Sequence, residues 1–115
     1  MTDDTRRAPR RDVTAQVPVT DTLAELVIGR LANVSETGML MLCSSPMNQD
    51  ALYQLRFAIP GANGQPLPLD VGVHLLWKED SHAPGQTWAG FRFLTLSREH
   101  RDQLRAWIAE ESSAA

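Results

Sequence analysis

The chain has 115 residues, 43% of them hydrophobic and 22% charged, which suits one globular domain with one core and excludes wholesale disorder. Its net charge of −3 argues against the broad basic surface that general DNA or RNA binding needs, so neither is expected as a partner. No apolar run approaches the roughly 20 residues of a membrane span, and membrane insertion is not expected.

Residues 1–11 are polar and aperiodic, and read as a flexible arginine-rich arm ahead of a domain spanning residues 12–111. They also lack the apolar stretch of a secretion signal. Arg6, Arg7, Arg10 and Arg11 crowd into this arm, whereas Lys78 is the only lysine in the chain. Val13, Ala15, Val17 and Val19 then alternate as a first strand, which Pro18 restricts to a sheet edge or a bulge. Leu26 to Ala32 and Gly38 to Leu42 follow as a second and third strand, the third apolar throughout and therefore expected to be central. Tyr53, Leu55, Phe57 and Ile59 alternate as a fourth, ended by the turn signal Pro60-Gly61. The longest alternation runs through Leu67, Leu69, Val71, Val73, Leu75 and Trp77, all on one face, which places Trp77 at the end of a core stripe. Glu79 to Gln86 reads as a polar hairpin loop, and Trp88 to Leu94 as a last strand with Ala89, Phe91 and Phe93 on one face. Only the C-terminus is helical in pattern: Ser97 can cap it, and Leu104, Trp107 and Ile108 form one apolar stripe. Short strands followed by one helix predict a mainly β fold, a barrel or sandwich with the helix packed against it.

Catalysis finds no support in this pattern. His74, His82 and His100 fall in a strand, a loop and a helix without metal-ligand spacing, and Ser44-Ser45 lacks the context of a nucleophile elbow. Asp3-Asp4 and Glu110-Glu111 read as solvated charge pairs. No enzyme activity, metal or cofactor is expected. The lone Cys43 lies in an apolar run with no cysteine to pair with, so it reads as a small buried hydrophobe in a reduced compartment, the cytoplasm.

Two features carry binding chemistry. In Arg6-Arg7-Ala8-Pro9-Arg10-Arg11 an Arg-x-x-x-Arg spacing occurs in two registers, Arg6 with Arg10 and Arg7 with Arg11. The guanidinium fork matches two phosphate oxygens or the O6 and N7 acceptors of guanine. In Asn33-Val34-Ser35-Glu36-Thr37-Gly38, lying between two predicted strands, the plain reading is a hairpin in which Asn and Ser bond nearby backbone and Gly38 takes a conformation closed to other residues. The binding reading adds that Asn33 offers donors and an acceptor to a base edge, that Ser35 can bond a base or phosphate, and that Gly38 lets backbone approach a ligand.

Taken together, the doublet Arg6-Arg7, its spacer to Arg10-Arg11 and the Asn-x-Ser-x-x-Gly turn at Asn33 to Gly38 resemble the PilZ domain family. Val73 to Trp77 and Trp88 to Phe93 look like that family's final strands, and the resemblance runs from about Arg6 to Ile108. It implies a six-stranded antiparallel barrel with a C-terminal helix that binds cyclic di-GMP, a bacterial second messenger. Carried over, the arm arginines contact phosphate and the guanine Hoogsteen edge: Arg7 and Arg11 in the preferred register, with Arg6 as a third contact suited to a stacked ligand pair, while Arg10 keeps the other register open. Asn33 and Ser35 would bind guanine or phosphate and Gly38 would shape the turn. Trp77, beyond its core reading, is then a candidate for stacking on a base.

The expected mechanism is a receptor whose arm orders across the barrel on ligand binding, at a cost of about 1–2 kcal/mol per residue that the charged contacts must offset. The chain is short for an output domain of its own, so an unidentified downstream protein is the expected partner. The alternative is a PilZ-like protein–protein adaptor that binds no nucleotide; such adaptors generally lack both motifs. A single-stranded RNA binder ranks last, since most aromatics fall on core-like faces.

Overall fold

The computed structural model describes residues 9–61 and 63–114. The strands are β1 (Arg10–Asp12), β2 (Pro18–Asp21), β3 (Leu26–Ser35), β4 (Gly38–Cys43), β5 (Leu52–Pro60), β6 (Pro66–Asp80) and β7 (Thr87–Thr95), followed by the helix α1 (Arg98–Ala114). Neighbours run in the order β3-β2-β5-β6-β7-β4, and pairing of β4 with β3 closes a six-stranded antiparallel barrel. β1 is an extra strand laid on the end of β3, with Arg10 opposite Ser35 and Asp12 opposite Asn33. The barrel with a C-terminal helix is therefore the fold that the resemblance implies.

Alternation fills the interior. Leu55, Phe57 and Ile59 of β5, Leu69, Val71, Val73 and Leu75 of β6, and Ala89 and Phe91 of β7 are all buried, as side chains two apart on a pleated strand must be when they share the inner face. Ser97 caps α1 as expected: its Oγ accepts the His100 N–H at 3.1 Å, and its carbonyl accepts the Arg101 N–H at 2.8 Å. Leu104, Trp107 and Ile108 are buried on the helix face that packs against the sheet. Cys43 is 1% exposed, and burial pushes its thiol pKa from 9.0 up to about 11. Among the described residues, no helix is long and apolar enough to cross a membrane.

The N-terminal region differs from its predicted form. Val13 to Val19 is not one strand, because β2 begins only at Pro18, a first position that needs no ladder N–H. Instead Val13 donates to the Ala32 carbonyl and Val17 accepts from Leu31, each at 2.9 Å, so this stretch supplies partners to an irregular part of β3. Arg10 and Arg11, the last residues of the expected arm, belong to β1 and are paired with β3.

Two β-bulges decide what the outer wall displays. In the β3–β4 ladder Leu31 faces Met41 and Asn33 faces Leu40, so Ala32 is the extra residue. In the β6–β7 ladder Leu75 faces Phe91 and Trp77 faces Gly90, so Leu76 is extra. Each bulge inverts the inside–outside phase of the strand beyond it. Val34 turns inward and Asn33 outward, and Trp77, assigned to the core stripe by simple alternation, is carried to the outer face, where it is 43% exposed.

Candidate ligand-binding site

The residues that follow the two bulges, Asn33 and Trp77, share one row across four strands. Asn33 of β3 is opposite Leu40 of β4, Leu40 is opposite Gly90 of β7, and Gly90 is opposite Trp77 of β6. A missing side chain makes the row possible: a Cβ on Gly90 would run into Nε1 and Cε2 of the Trp77 indole and lie 2.9 Å from Cζ2. The indole therefore lies along the wall over Gly90. From β1, Arg10 Nη1 donates to Asn33 Oδ1 at 3.0 Å. Arg10, Asn33, Leu40, Leu76, Trp77 and Gly90 line an open groove of about 410 Å³. A guanidinium bonded to an amide, with an indole on the same wall, suits a ligand with an anionic group and a planar ring.

The pleat of β1 separates Arg10 from Arg11. Arg10 points to the groove, whereas Arg11 points to α1, where its Nη1 donates to the Trp107 carbonyl at 2.6 Å and its guanidinium lies 4.2 Å from the Trp107 ring centroid. Glu110 is 3.8 Å from the same guanidinium. Arg10, rather than the Arg11 of the preferred register, is thus the arginine beside Asn33. Arg6 and Arg7 lie outside the described residues.

Ser35 and Gly38 build the turn. Ser35 is 1% exposed, and its Oγ accepts the N–H groups of Thr37 at 3.1 Å and Gly38 at 3.2 Å, with Thr37 Oγ1 3.0 Å away. The hydroxyl is consumed by the turn, as the hairpin reading of this motif expects. Gly38 does not have the special backbone conformation expected of it; the positive-φ glycines among the described residues are Gly64 and Gly85. Its requirement is space: a Cβ there would collide with the Phe91 carbonyl oxygen on the paired strand.

Other residues of the site carry weaker sequence signals. Glu36 accepts from Arg105 Nε at Oε2 and from Arg105 Nη2 at Oε1, both at 3.1 Å, and its carbonyl accepts from Arg101 Nη1 at 3.1 Å. The hydrogen bonds from Arg105 to Glu36, and then that carboxylate's charge, raise the guanidinium's pKa above its ordinary value. The four-residue spacing of Arg101 and Arg105 on a helix was the available signal, without an indication of what it meets. Gly90 and Leu40 had none, since they matter only through strand register. Among the described residues, no group of three or more His, Cys, Asp or Glu side chains is placed to hold a metal ion.

These features define a small antiparallel barrel domain with a polar and aromatic groove on its outer wall. The PilZ domain matches residues 4–110, and the chain belongs to that family, whose members are ligand-binding receptor and adaptor domains. Solved structures share the fold. The motility inhibitor MotI/DgrA of Bacillus subtilis superposes with a TM-score of 0.78 at 10% identity, over 95% of this chain and 52% of that one. YcgR of Escherichia coli in complex with c-di-GMP gives 0.73 at 20% identity, over 95% and 46%. The PilZ domain of YcgR with c-di-GMP gives 0.66 at 20% identity, over 95% and 93%. The chain thus spans about half the length of the first two of these proteins. No curated protein sequence matches it.

Proposed function

We propose that this chain is a cyclic di-GMP receptor that signals through a partner protein. One observation carries the reading: residues from both motifs, Arg10 and Asn33, share a groove with the exposed indole of Trp77. Membership of the PilZ family and likeness in fold to YcgR, whose structures contain c-di-GMP, support it. In this reading Arg10 binds phosphate or the guanine Hoogsteen edge, Asn33 bonds a base edge, and Trp77 stacks on a guanine. The working register is Arg6 with Arg10, because Arg11 is engaged by Trp107. Ser35 and Gly38 act by shaping the turn. Residues 1–11 serve as the ligand-responsive arm, with Arg10 its paired end and Arg6 or Arg7 completing the contacts, and the protein works in the cytoplasm as a non-enzymatic receptor.

Calorimetric titration of cyclic di-GMP into the wild type and Arg10→Ala tests this. Saturable binding that falls at least tenfold in the variant is expected, since a charge-assisted contact is worth about 1.5–3 kcal/mol. Amide exchange at Arg6 and Arg7 with and without ligand tests the arm; identical exchange would refute that part. A folded wild type that fails to bind would leave the protein–protein adaptor as the better account.

A further inference from the structure

Helix α1 grips the two pieces of chain that bring Arg10 and Asn33 to the groove, yet among the described residues none of its side chains lines it. On one side, Arg101 and Arg105 lie one helical turn apart and so share a face, and both end on Glu36, in the turn that follows the end of β3 carrying Asn33. On the other, Trp107 holds Arg11 by its carbonyl and its ring, and so sets the lie of β1, whose opposite face presents Arg10.

The Glu36 contact is unexpected on charge alone. A carboxylate three residues from Asn33 repels the dianion that the proposed function places in the groove. Its geometry resolves the conflict: two parallel N–H···O bonds from Arg105 neutralise the carboxylate, and the Arg101 bond to the carbonyl holds the same residue by its backbone. Glu36 is held at both ends, and the Glu36 side chain is only 28% exposed.

We infer that Arg105, acting through Glu36, is a positioning residue for the ligand groove, so that the docking of α1 sets the affinity of a site it does not touch. The inference rests on the proposed cyclic di-GMP reading for its ligand and on the turn geometry for its mechanism.

Bare electrostatics and positioning predict opposite signs at one position. Glu36→Gln removes a negative charge, which by itself strengthens binding of an anion; positioning requires that it weakens binding, by about fivefold for a well-formed bidentate pair. Arg105→Ala weakens binding by a similar factor, and the double variant is no weaker than either single one, because both remove the same contact. Titration of cyclic di-GMP into these variants, with thermal unfolding to confirm that the barrel is intact, reads all three. Tighter binding by Glu36→Gln, or additive losses in the double variant, overturns the inference. A second arm needs no ligand: in Arg105→Ala, amide exchange at Thr37 and Gly38 rises about fivefold while that of Val71 and Val73 is unchanged. Unchanged exchange at the turn overturns the positioning role even if the ligand binds; a wild type that binds no cyclic di-GMP sinks the proposed ligand, and the exchange arm still decides the role of Arg105.

Discussion

Gly38 and Gly90 are the two glycines of the β4–β7 ladder, and neither tolerates a Cβ in place, but the obstacles differ in kind. At Gly38 the obstacle is backbone: the Phe91 carbonyl oxygen, with its carbon at 3.3 Å. Gly38→Ala must push β4 and β7 apart next to the buried Ser35 turn, an overpacking that costs about 1–3 kcal/mol. For a domain of this size that is a fall in Tm of about 4–12 °C. At Gly90 the obstacle is the Trp77 indole, a half-exposed ring free to swing outward, so Gly90→Ala should cost under about 1 kcal/mol and leave Tm within about 4 °C. The displaced ring no longer lies along the groove; on the proposed receptor reading, loss of one base–aromatic stack, about 1–3 kcal/mol, weakens cyclic di-GMP binding by about 5- to 150-fold. Circular-dichroism melts and calorimetric titration of both variants separate the two effects. Equal losses of Tm, or full ligand affinity in Gly90→Ala, would show that Trp77 does not occupy the wall over Gly90 in the way described.

Three further outcomes are expected. Arg11→Ala removes the stack on Trp107 and the bond to its carbonyl, and lowers stability by about 1–2 kcal/mol in urea unfolding; a variant as stable as the wild type would refute the anchoring role of Arg11. Ser35→Ala orphans the N–H groups of Thr37 and the buried Gly38 and costs about 1–3 kcal/mol by the same assay, a loss too large for a merely ligand-facing hydroxyl. The Cys43 thiol pKa is raised by burial, so the folded state favours the protonated form: its contribution to stability is complete below pH 9.0 and declines as pH rises towards about 11. Alkylation of Cys43 at pH 8 should accordingly be slow in the native protein and fast in denaturant, and rapid native labelling would contradict its burial.

The candidate site is legible in its ingredients and not in its assembly. Arg10 and Asn33 stand out in the sequence because arginine without lysine, and an Asn-x-Ser-x-x-Gly turn, are local patterns. Their pairing depends on the strand pleat of β1, which sends Arg10 to the groove and Arg11 to Trp107, and a pleat has no phase until its partner strand is known. Simple alternation puts Trp77 at the end of the core stripe for the same reason: the pattern from Leu67 is unbroken in sequence, and the extra residue Leu76 is extra only relative to β7. Ser35 belonged to the turn rather than to the groove wall, which its neighbours in sequence suggested and its burial decided.

What the amino-acid sequence determined by itself is whatever obeys a local period or a local bond: the barrel strands β3 to β7, the Ser97 cap, the apolar stripe of α1 and the turn at Ser35. What the tertiary structure decided is which side of the wall each residue faces past Ala32 and Leu76, which arginine meets Asn33, and that Glu36 is held by Arg101 and Arg105. The physical reason is that a bulge is a mismatch between two strands far apart in the chain. One residue of slip exchanges the inner and outer faces of everything beyond it, and no pattern within either strand records the slip.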